Sequence, residues 1–101
     1  MPGYLQDKIL FVTGNGTPEH RAVAVALAEA GADVAVAGPA DPAHEVLLNS
    51  IANEVWAIGR RALAVGYDAG DPASFAAALE KARANLGRVD LVIRAEPVAA
   101  V

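Results

Sequence analysis

The strongest constraint on the fold lies between residues 9 and 32. A short apolar run, Ile9 to Val12, is followed by Thr13-Gly14 and then by an alanine-rich segment that reaches Gly31. A continuous apolar run of this length, stopped by a turn signal, is typical of a buried strand. Thr17-Pro18 provides an N-cap residue with proline at the first helical position, and Gly31 is a C-terminal helix signal. This order predicts a strand, a glycine turn and a helix.

The same alternation continues along the rest of the chain. After a first strand at residues 8–12 and a helix at 17–30, the sequence predicts strands at 33–37, 62–67 and 89–93, with helices at 41–58 and 71–86 between them. Asp41-Pro42 and Asp71-Pro72 repeat the combination of a capping residue and proline. Strands and helices that alternate at this spacing indicate a parallel sheet with right-handed crossovers. We therefore predict one α/β domain, residues 1–93, and an irregular tail, residues 94–101.

Composition narrows the classes of function. The 101 residues carry a net charge of −4, which argues against a nucleic-acid partner, because phosphates require a basic surface. No apolar run approaches the roughly 18 residues of a membrane span, and no signal peptide is recognisable. The chain has no cysteine, which excludes disulfides and thiol catalysis. We expect a cytoplasmic protein with no membrane partner.

Several segments match one family in order and spacing. Thr13-Gly14 matches the start of a TGxxxGxG turn, residues 24–32 match an AxxLAxxGA helix ending, and Gly87 to Ile93 resembles a GxxDxLV strand. Together they resemble the N-terminal half of the short-chain dehydrogenases/reductases. The resemblance implies a Rossmann-like, three-layer half-domain with about four parallel strands in the order 3-2-1-4. It also implies NAD or NADP as the cofactor and oxidoreductase chemistry.

The departures from this family fall where phosphate would bind. In the family's register, Pro18 and His20 replace the second and third glycines, and Glu19 lies between them. Proline has no N–H to donate, and a glycine at these positions would let the backbone approach a pyrophosphate. A carboxylate near a helix N-terminus competes with a bound anion. An alternative register, GxGxxG from Gly14 to Glu19, keeps two glycines but shifts the downstream helix out of step.

The remaining determinants of the family are also incomplete. No acidic residue or arginine stands at the end of the second strand, and residues 94–97 retain nothing of the family's NNAG segment. The serine and the YxxxK pair that the resemblance would assign to catalysis have no counterpart in the sequence. We therefore assign no catalytic residue and expect no activity from the chain by itself.

The candidate cofactor-binding residues are Gly14, Gly16 and Asp68. Asp68 stands where the family places an aspartate near the adenine ring, although a loop aspartate that accepts local backbone N–H groups is an equal alternative. We expect His20 to be solvated or to cap the helix, and Arg60-Arg61 to be a solvated pair at a helix end. Two histidines without ligand spacing do not indicate a metal site.

Two functions remain open. The first is a degenerate subunit or interaction domain of the dehydrogenase type, for which no cofactor is assigned. The second is the cofactor-binding half of a split or truncated NAD(P)-dependent oxidoreductase. The fourth strand should lie at a sheet edge with an unpaired apolar backbone. We therefore expect residues 89–93 to pair with a second copy, with a homologous dehydrogenase subunit or with the tail.

Overall fold

A computed structural model describes residues 3–95 as seven alternating strands and helices. Three helices separate four strands, and the bounds in chain order are β1 Ile9–Thr13, α1 Pro18–Glu29, β2 Asp33–Pro39, α2 Pro42–Ala57, β3 Ala62–Tyr67, α3 Pro72–Leu86 and β4 Leu91–Arg94. All strands are parallel, and their order in the sheet is β3-β2-β1-β4. The predicted fold class and strand order are confirmed.

The three helices begin in the same way. Thr17, Asp41 and Asp71 are extended N-cap residues, each followed by proline, and each side chain accepts a hydrogen bond from a backbone N–H of the first turn. Such caps satisfy donors that have no partner within the helix. Because the caps directly precede the helices, the sequence placed all three helix starts correctly.

The core has two layers, one on each face of the sheet. α1 and α2 cover one face, where Leu10, Val12 and Ile51 are fully buried. α3 covers the other face, where Phe11 and Val65 pack against the helix. The edge-to-face contact between the rings of Phe11 and Phe75, with centroids 5.6 Å apart, fixes α3 on this layer. The three-layer arrangement follows from this two-sided burial.

Strand boundaries differ from the prediction by one or two residues. β2 continues through Gly38 and Pro39 because these residues still pair with Gly66 and Tyr67 of β3. β4 begins at Leu91 rather than at residue 89. The Asp90 N–H still donates to the Ile9 carbonyl at 2.7 Å, but the Ile9 N–H donates to the Asp90 side chain at 2.8 Å and not to a backbone carbonyl. β4 also includes Arg94, which the prediction assigned to the tail. The rest of that tail, residues 96–101, lies outside the described residues.

Candidate functional site

The glycine turn, residues 14–17, lies at the carboxyl end of β1 and packs tightly against β2. The Gly14 N–H donates to the Ala37 carbonyl at 3.0 Å. A Cβ atom built on Gly38 would lie 2.4 Å from the Gly14 carbonyl oxygen, so the two backbones are in close approach. In an open parallel sheet, ligands bind outside the carboxyl ends of the strands, where the strand order reverses. The turn therefore occupies the expected position for a binding site, next to the reversal between β1 and β4.

His20 fills the inner side of this turn. Its side chain is fully buried, and a Cβ on Gly14 would lie 2.5 Å from the imidazole Cγ. Its Nδ1 lies 3.0 Å from the Gly16 nitrogen, and its Nε2 lies 3.0 Å from the Val12 carbonyl oxygen. Because the Gly16 N–H can only donate and the carbonyl can only accept, the ring must be neutral with its proton on Nε2. The expectation of a solvated or helix-capping histidine is wrong, because both nitrogens are used in joining β1 to the turn.

These contacts use donors that an anion would need. The Gly16 N–H is donated to the imidazole, and the His20 N–H is donated to Thr17 Oγ1 at 3.3 Å. Pro18 has no N–H. Gly16 has a φ of +71°, which favours glycine, and a Cβ there would lie 2.5 Å from the Leu47 Cβ of α2. The turn is thus closed by His20 on one side and by Leu47 on the other.

The sequence that forms this turn and the surrounding sheet is similar to sequences of known dehydrogenases. Residues 8–96 match the family of short chain dehydrogenases. The chain belongs to that family. It is 36% identical over 89 residues to 2-dehydro-3-deoxy-D-gluconate 5-dehydrogenase of Dickeya dadantii, a match that covers 88% of this chain and 33% of that protein. It is 37% identical over 91 residues to L-rhamnose 1-dehydrogenase (NAD(P)(+)) of a Sphingomonas species, with 88% and 34% covered.

Solved structures, among them short-chain dehydrogenases, have the same fold over the part that this chain matches. A short-chain type dehydrogenase/reductase from Mycobacterium marinum superposes with a TM-score of 0.76 at 34% sequence identity, covering 87% of this chain and 34% of that one. A blue fluorescent protein from a metagenomic library, solved in complex with NADPH, gives a TM-score of 0.75 at 34% identity, with 87% and 35% covered. The chain therefore spans about a third of the length of the short-chain dehydrogenases that it matches.

Asp68, the third candidate cofactor-binding residue, also lies at the carboxyl ends of the strands but away from the turn. It follows β3, which is two strands from β1, so roughly 10 Å of sheet separates them at the usual strand spacing. Its Oδ1 accepts the Gly70 N–H at 3.0 Å, and its own N–H donates to Ser74 Oγ at 2.8 Å. The structure thus joins Gly14 and Gly16 in one turn and gives Asp68 a local structural role. Binding of a dinucleotide by these three residues stays a prediction.

A side pocket of about 410 Å³ opens between the ends of β2 and β3 and the start of α2. Asp41 lines it, and this carboxylate accepts the His44 N–H at 2.9 Å and contacts the His44 Nδ1 at 2.7 Å. These hydrogen bonds, first of all that from the His44 backbone, hold the pKa of Asp41 below its usual value. Asp41 therefore acts as the cap of α2, as its position before Pro42 predicted.

The sequence analysis missed a second cavity at the carboxyl ends of the strands. About 470 Å³ in volume, it lies between α3 and β4 and is lined in part by Thr13, Tyr67, Phe75, Val92 and Arg94. The Tyr67 and Phe75 rings meet edge to face with centroids 5.1 Å apart. The available signal was the pair of aromatic residues at the end of β3 and in the first turn of α3. The cavity exists because α3 covers β3, β2 and β1 and does not reach across β4.

β4 is the least covered strand of the domain. Among the described helices and strands it packs against β1 alone. The register Phe11↔Val92 and Val12↔Ile93 places Val92 on the α3 face and Ile93 on the α1 face. Leu91 and Val92 are 56% and 46% exposed. One edge and much of both faces of β4 are therefore open in the described part of the chain.

Arg60 and Arg61 lie at the opposite, amino end of the sheet. Arg60 Nε and the Arg61 N–H each donate to Asp33 Oδ1 at 3.0 Å, and Arg61 Nε donates to Asp33 Oδ2 at 2.9 Å. The Asp33 side chain is only 5% exposed. The expectation of a solvated pair holds for the Arg61 side chain, which is 59% exposed, but not for Arg60, which is 22% exposed; both are bound by the buried carboxylate. Within residues 3–95, no helix is long and apolar enough to cross a membrane.

Proposed function

We propose that this chain is a short-chain-dehydrogenase-like Rossmann domain that is not catalytic alone and that acts as a degenerate subunit or interaction domain. The observation that carries the proposal is the buried His20 ring within the glycine turn. In this family's turn pattern that position is a glycine, which leaves the backbone accessible. Here an imidazole occupies the space against Gly14 and accepts the Gly16 N–H.

Electrostatics at the turn support the same reading. Glu19 lies in the first turn of α1, where the partial positive charge of the helix end would otherwise attract a phosphate. A dinucleotide brings two phosphate charges to this point, and the carboxylate opposes them. Loss of donors and added negative charge act in the same direction, against binding.

Calorimetric titration of NAD(H) and NADP(H) tests the degenerate turn. The wild-type chain should show no saturable binding, whereas the variant Pro18→Gly/Glu19→Ile/His20→Gly should gain it. The matched control is His44→Gln, which removes the chain's other histidine and leaves the turn intact. Saturable micromolar binding by the wild-type chain would refute the proposal. Calorimetry is preferable to Trp56 fluorescence, because Trp56 lies near the other end of α2, away from the turn.

β4 supports the interaction role, and its partner is a second copy of this chain or a homologous dehydrogenase subunit. An apolar edge strand with unpaired N–H and C=O groups is a template for pairing. A two-fold axis perpendicular to the sheet would pair β4 with its copy antiparallel, but would leave the faces around Leu91 and Val92 uncovered. A partner that contributes a strand together with helices covers the edge and both faces. The geometry thus favours a homologous subunit over a second copy.

Light scattering after size exclusion, with and without the homologous subunit, tests the interface. Val92→Asp should abolish association because it places a charge in the contact. Val46→Asp is the matched control, since Val46 is 69% exposed on α2, on a helix that does not pack against β4. Association that survives Val92→Asp would contradict this assignment. So would a chain that stays monomeric both by itself and in the presence of the homologous subunit. An acidic chain without cysteine fits a cytoplasmic location for such a complex.

A second candidate function is the cofactor-binding half of a split or truncated NAD(P)-dependent oxidoreductase. It is favoured by the match to about one third of relatives whose names include NAD(P)(+) and NADPH. Gly14, Gly16 and Asp68 would then bind the dinucleotide once a partner half is present. Titration of NADP(H) into the chain together with a homologous C-terminal half separates the two functions. Binding that depends on both halves and is lost in Gly16→Ala would favour the split enzyme.

A further inference from the structure

The His20 side chain joins three parts of the molecule through one neutral ring. Its Nε2–H donates to Val12 at the end of β1, its Nδ1 accepts from Gly16 in the turn, and its backbone belongs to α1. The ring is fully buried against Gly14. Nε2–H can donate to Val12 in either charge state, but Nδ1 can accept from Gly16 only when the ring is neutral. The closed turn with both contacts is therefore a state of the neutral histidine.

Protonation of this ring is incompatible with the closed turn for three reasons. A proton on Nδ1 would point at the Gly16 N–H across 3.0 Å, so a hydrogen bond would become a repulsion between two donors. The ring would carry its charge in a site without solvent exposure, which disfavours the charged form. His20 also lies in the first turn of α1, where the helix dipole opposes a cation.

Titratable and charged groups occur on the elements around the turn, and those next to His20 in the chain or on the facing part of α2 are exposed or in ion pairs of their own. Arg21 is ion-paired with Glu54 at 3.0 Å, and His44 is paired with Asp41 at 2.7 Å. Glu19 precedes His20 but its side chain is exposed. The other titratable or charged residues on β1, β2, α2 and β4, or next to them, are Lys8, Asp33, Glu45, Asp90 and Arg94.

We propose that His20 is a proton-controlled latch on the glycine turn: the neutral imidazole holds the turn closed, and its protonation releases the Gly16 amide and the Val12 carbonyl. The closed state binds the ring in one charge state only, whereas an open, solvated ring takes up a proton at ordinary acidity. Acid therefore favours the open turn. The latch goes beyond the proposed function and does not rest on it, since it needs neither a cofactor nor a partner at β4.

Proton linkage sets the size of the effect. A solvated histidine titrates near pH 6.5, so below that value the open state gains a proton that the closed state lacks. The equilibrium constant for opening should then rise about tenfold per pH unit below roughly pH 6.5 and be flat above pH 7.5. The sign is fixed by the geometry, because the state with more bound protons is favoured as the pH falls.

Residue-resolved hydrogen exchange of the Gly16 amide measures this opening. Protection of the wild-type chain, corrected for the intrinsic exchange rate, should fall about tenfold per unit between pH 6 and pH 5. His44→Gln should show the same fall, and His20→Gln should show a protection that does not vary with pH. A flat wild-type profile, or a fall that disappears in His44→Gln, would overturn the latch.

A nitrogen-resolved histidine NMR spectrum of the wild-type chain keeps the test decisive if His20→Gln does not fold. At pH 7.5 the ring should be the Nε2–H tautomer with an unprotonated Nδ1. Its loss on acidification should coincide with the loss of Gly16 protection. A ring that charges while Gly16 stays protected, or that is already charged at pH 7.5, would overturn the proposal. Neither result bears on dinucleotide binding or on association through β4, so the outcomes remain distinguishable from those of the proposed function.

Discussion

β3 and β4 are the two edge strands of one sheet, but helices cover the faces of β3 and not those of β4. β3 packs against α2 on one face and α3 on the other, and Val65 in its middle is 5% exposed. β4 packs against β1 alone, and Val92, on the same α3 face as Val65, is 46% exposed. Both strands thus have an open edge, and they differ in whether helices pack against their faces.

The difference shows that apolar character does not by itself produce burial. β3 contains two alanines, one glycine, one tyrosine and two larger aliphatic residues, Leu63 and Val65, whereas three of the four residues of β4 are the large aliphatic Leu91, Val92 and Ile93. The more apolar strand is the more exposed one. Apolar surface that its own helices do not cover is typical of a protein–protein contact. The faces of β3 are therefore covered by the domain's own helices, whereas those of β4 stay largely open within residues 3–95.

Placing a charge on each strand should give the largest contrast. Val65→Asp buries an unpaired carboxylate beneath α3 and should lower the free energy of unfolding by roughly 3–5 kcal/mol. Val92→Asp places the same group at an exposed position and should change stability by less than about 0.5 kcal/mol. Urea denaturation followed by circular dichroism measures both variants. Similar losses in the two variants would mean that β4 is covered in the isolated chain.

The Asp33 cluster secures β3 at its amino end and should be the next most sensitive point. Asp33→Asn removes the charge that binds Arg60 and Arg61 and should destabilise the domain by about 2–3 kcal/mol. The control is Asp7→Asn, because Asp7 pairs with Arg60 at 3.3 Å but its side chain is 78% exposed. An exposed pair of this kind should contribute less than about 1 kcal/mol. If the two variants lower the urea concentration at the unfolding midpoint by the same amount, burial of Asp33 does not account for the stabilisation.

The cap of α3 should have a smaller effect on the covered edge. Asp71 Oδ1 accepts the Ala73 N–H at 2.9 Å, and Asp71→Ala should destabilise the chain by about 1 kcal/mol. A domain of this length should then melt roughly 4–8 °C lower. Glu80→Ala on the exposed side of the same helix is the control and should leave the melting temperature nearly unchanged. If the control melts as early as Asp71→Ala, the role of the cap is contradicted, because Glu80→Ala removes only an exposed ion pair with Arg83 and introduces the stronger helix former.

The smallest expected effect is an acid dependence of β4. Asp90 accepts the Ile9 N–H, and this hydrogen bond, with Arg88 beside it, lowers the pKa of Asp90 from its ordinary value of 3.8. A lowered pKa means that the stabilisation is complete above about pH 4 and is lost as the pH falls through the folded-state value. Exchange of the Ile9 amide should therefore accelerate in acid beyond its intrinsic rate. Asp90→Asn should remove this dependence, and an unchanged acid response in that variant would assign it to other carboxylates.

The sequence predicted the order of elements and the helix starts because the relevant signals are local. Thr17-Pro18, Asp41-Pro42 and Asp71-Pro72 each act within one helical turn, and all three predicted caps are confirmed. The parallel order β3-β2-β1-β4 followed from the family resemblance. The predicted strand ends were less accurate. β2 ends where its pairing with β3 ends, and no residue near that point in the sequence indicates this position.

The buried polar contacts could not be predicted for the same physical reason. Asp33 and Arg61 are 28 residues apart, and their ion pair depends on the adjacency of β2 and β3. The role of His20 depends on the carbonyl of Val12 and on the conformation of Gly16, which only the folded turn fixes. A histidine that follows a glycine-containing turn was visible in the sequence. Its burial was not.

The pairing of β4 with β1 joins strands that are far apart in the sequence, with Leu10 opposite Leu91. The hydrogen bond between Ile9 and Asp90 spans 81 residues, so β4 closes the longest loop in the described part of the domain. During synthesis, β1, β2 and β3 and their helices leave the ribosome before β4 is available. Long-range pairings of this kind form late, and the region that forms last is typically the first to open. In the nascent chain, the edge of β1 therefore stays unpaired until β4 has been synthesised. During this interval the unpaired edge is open to binding by a chaperone.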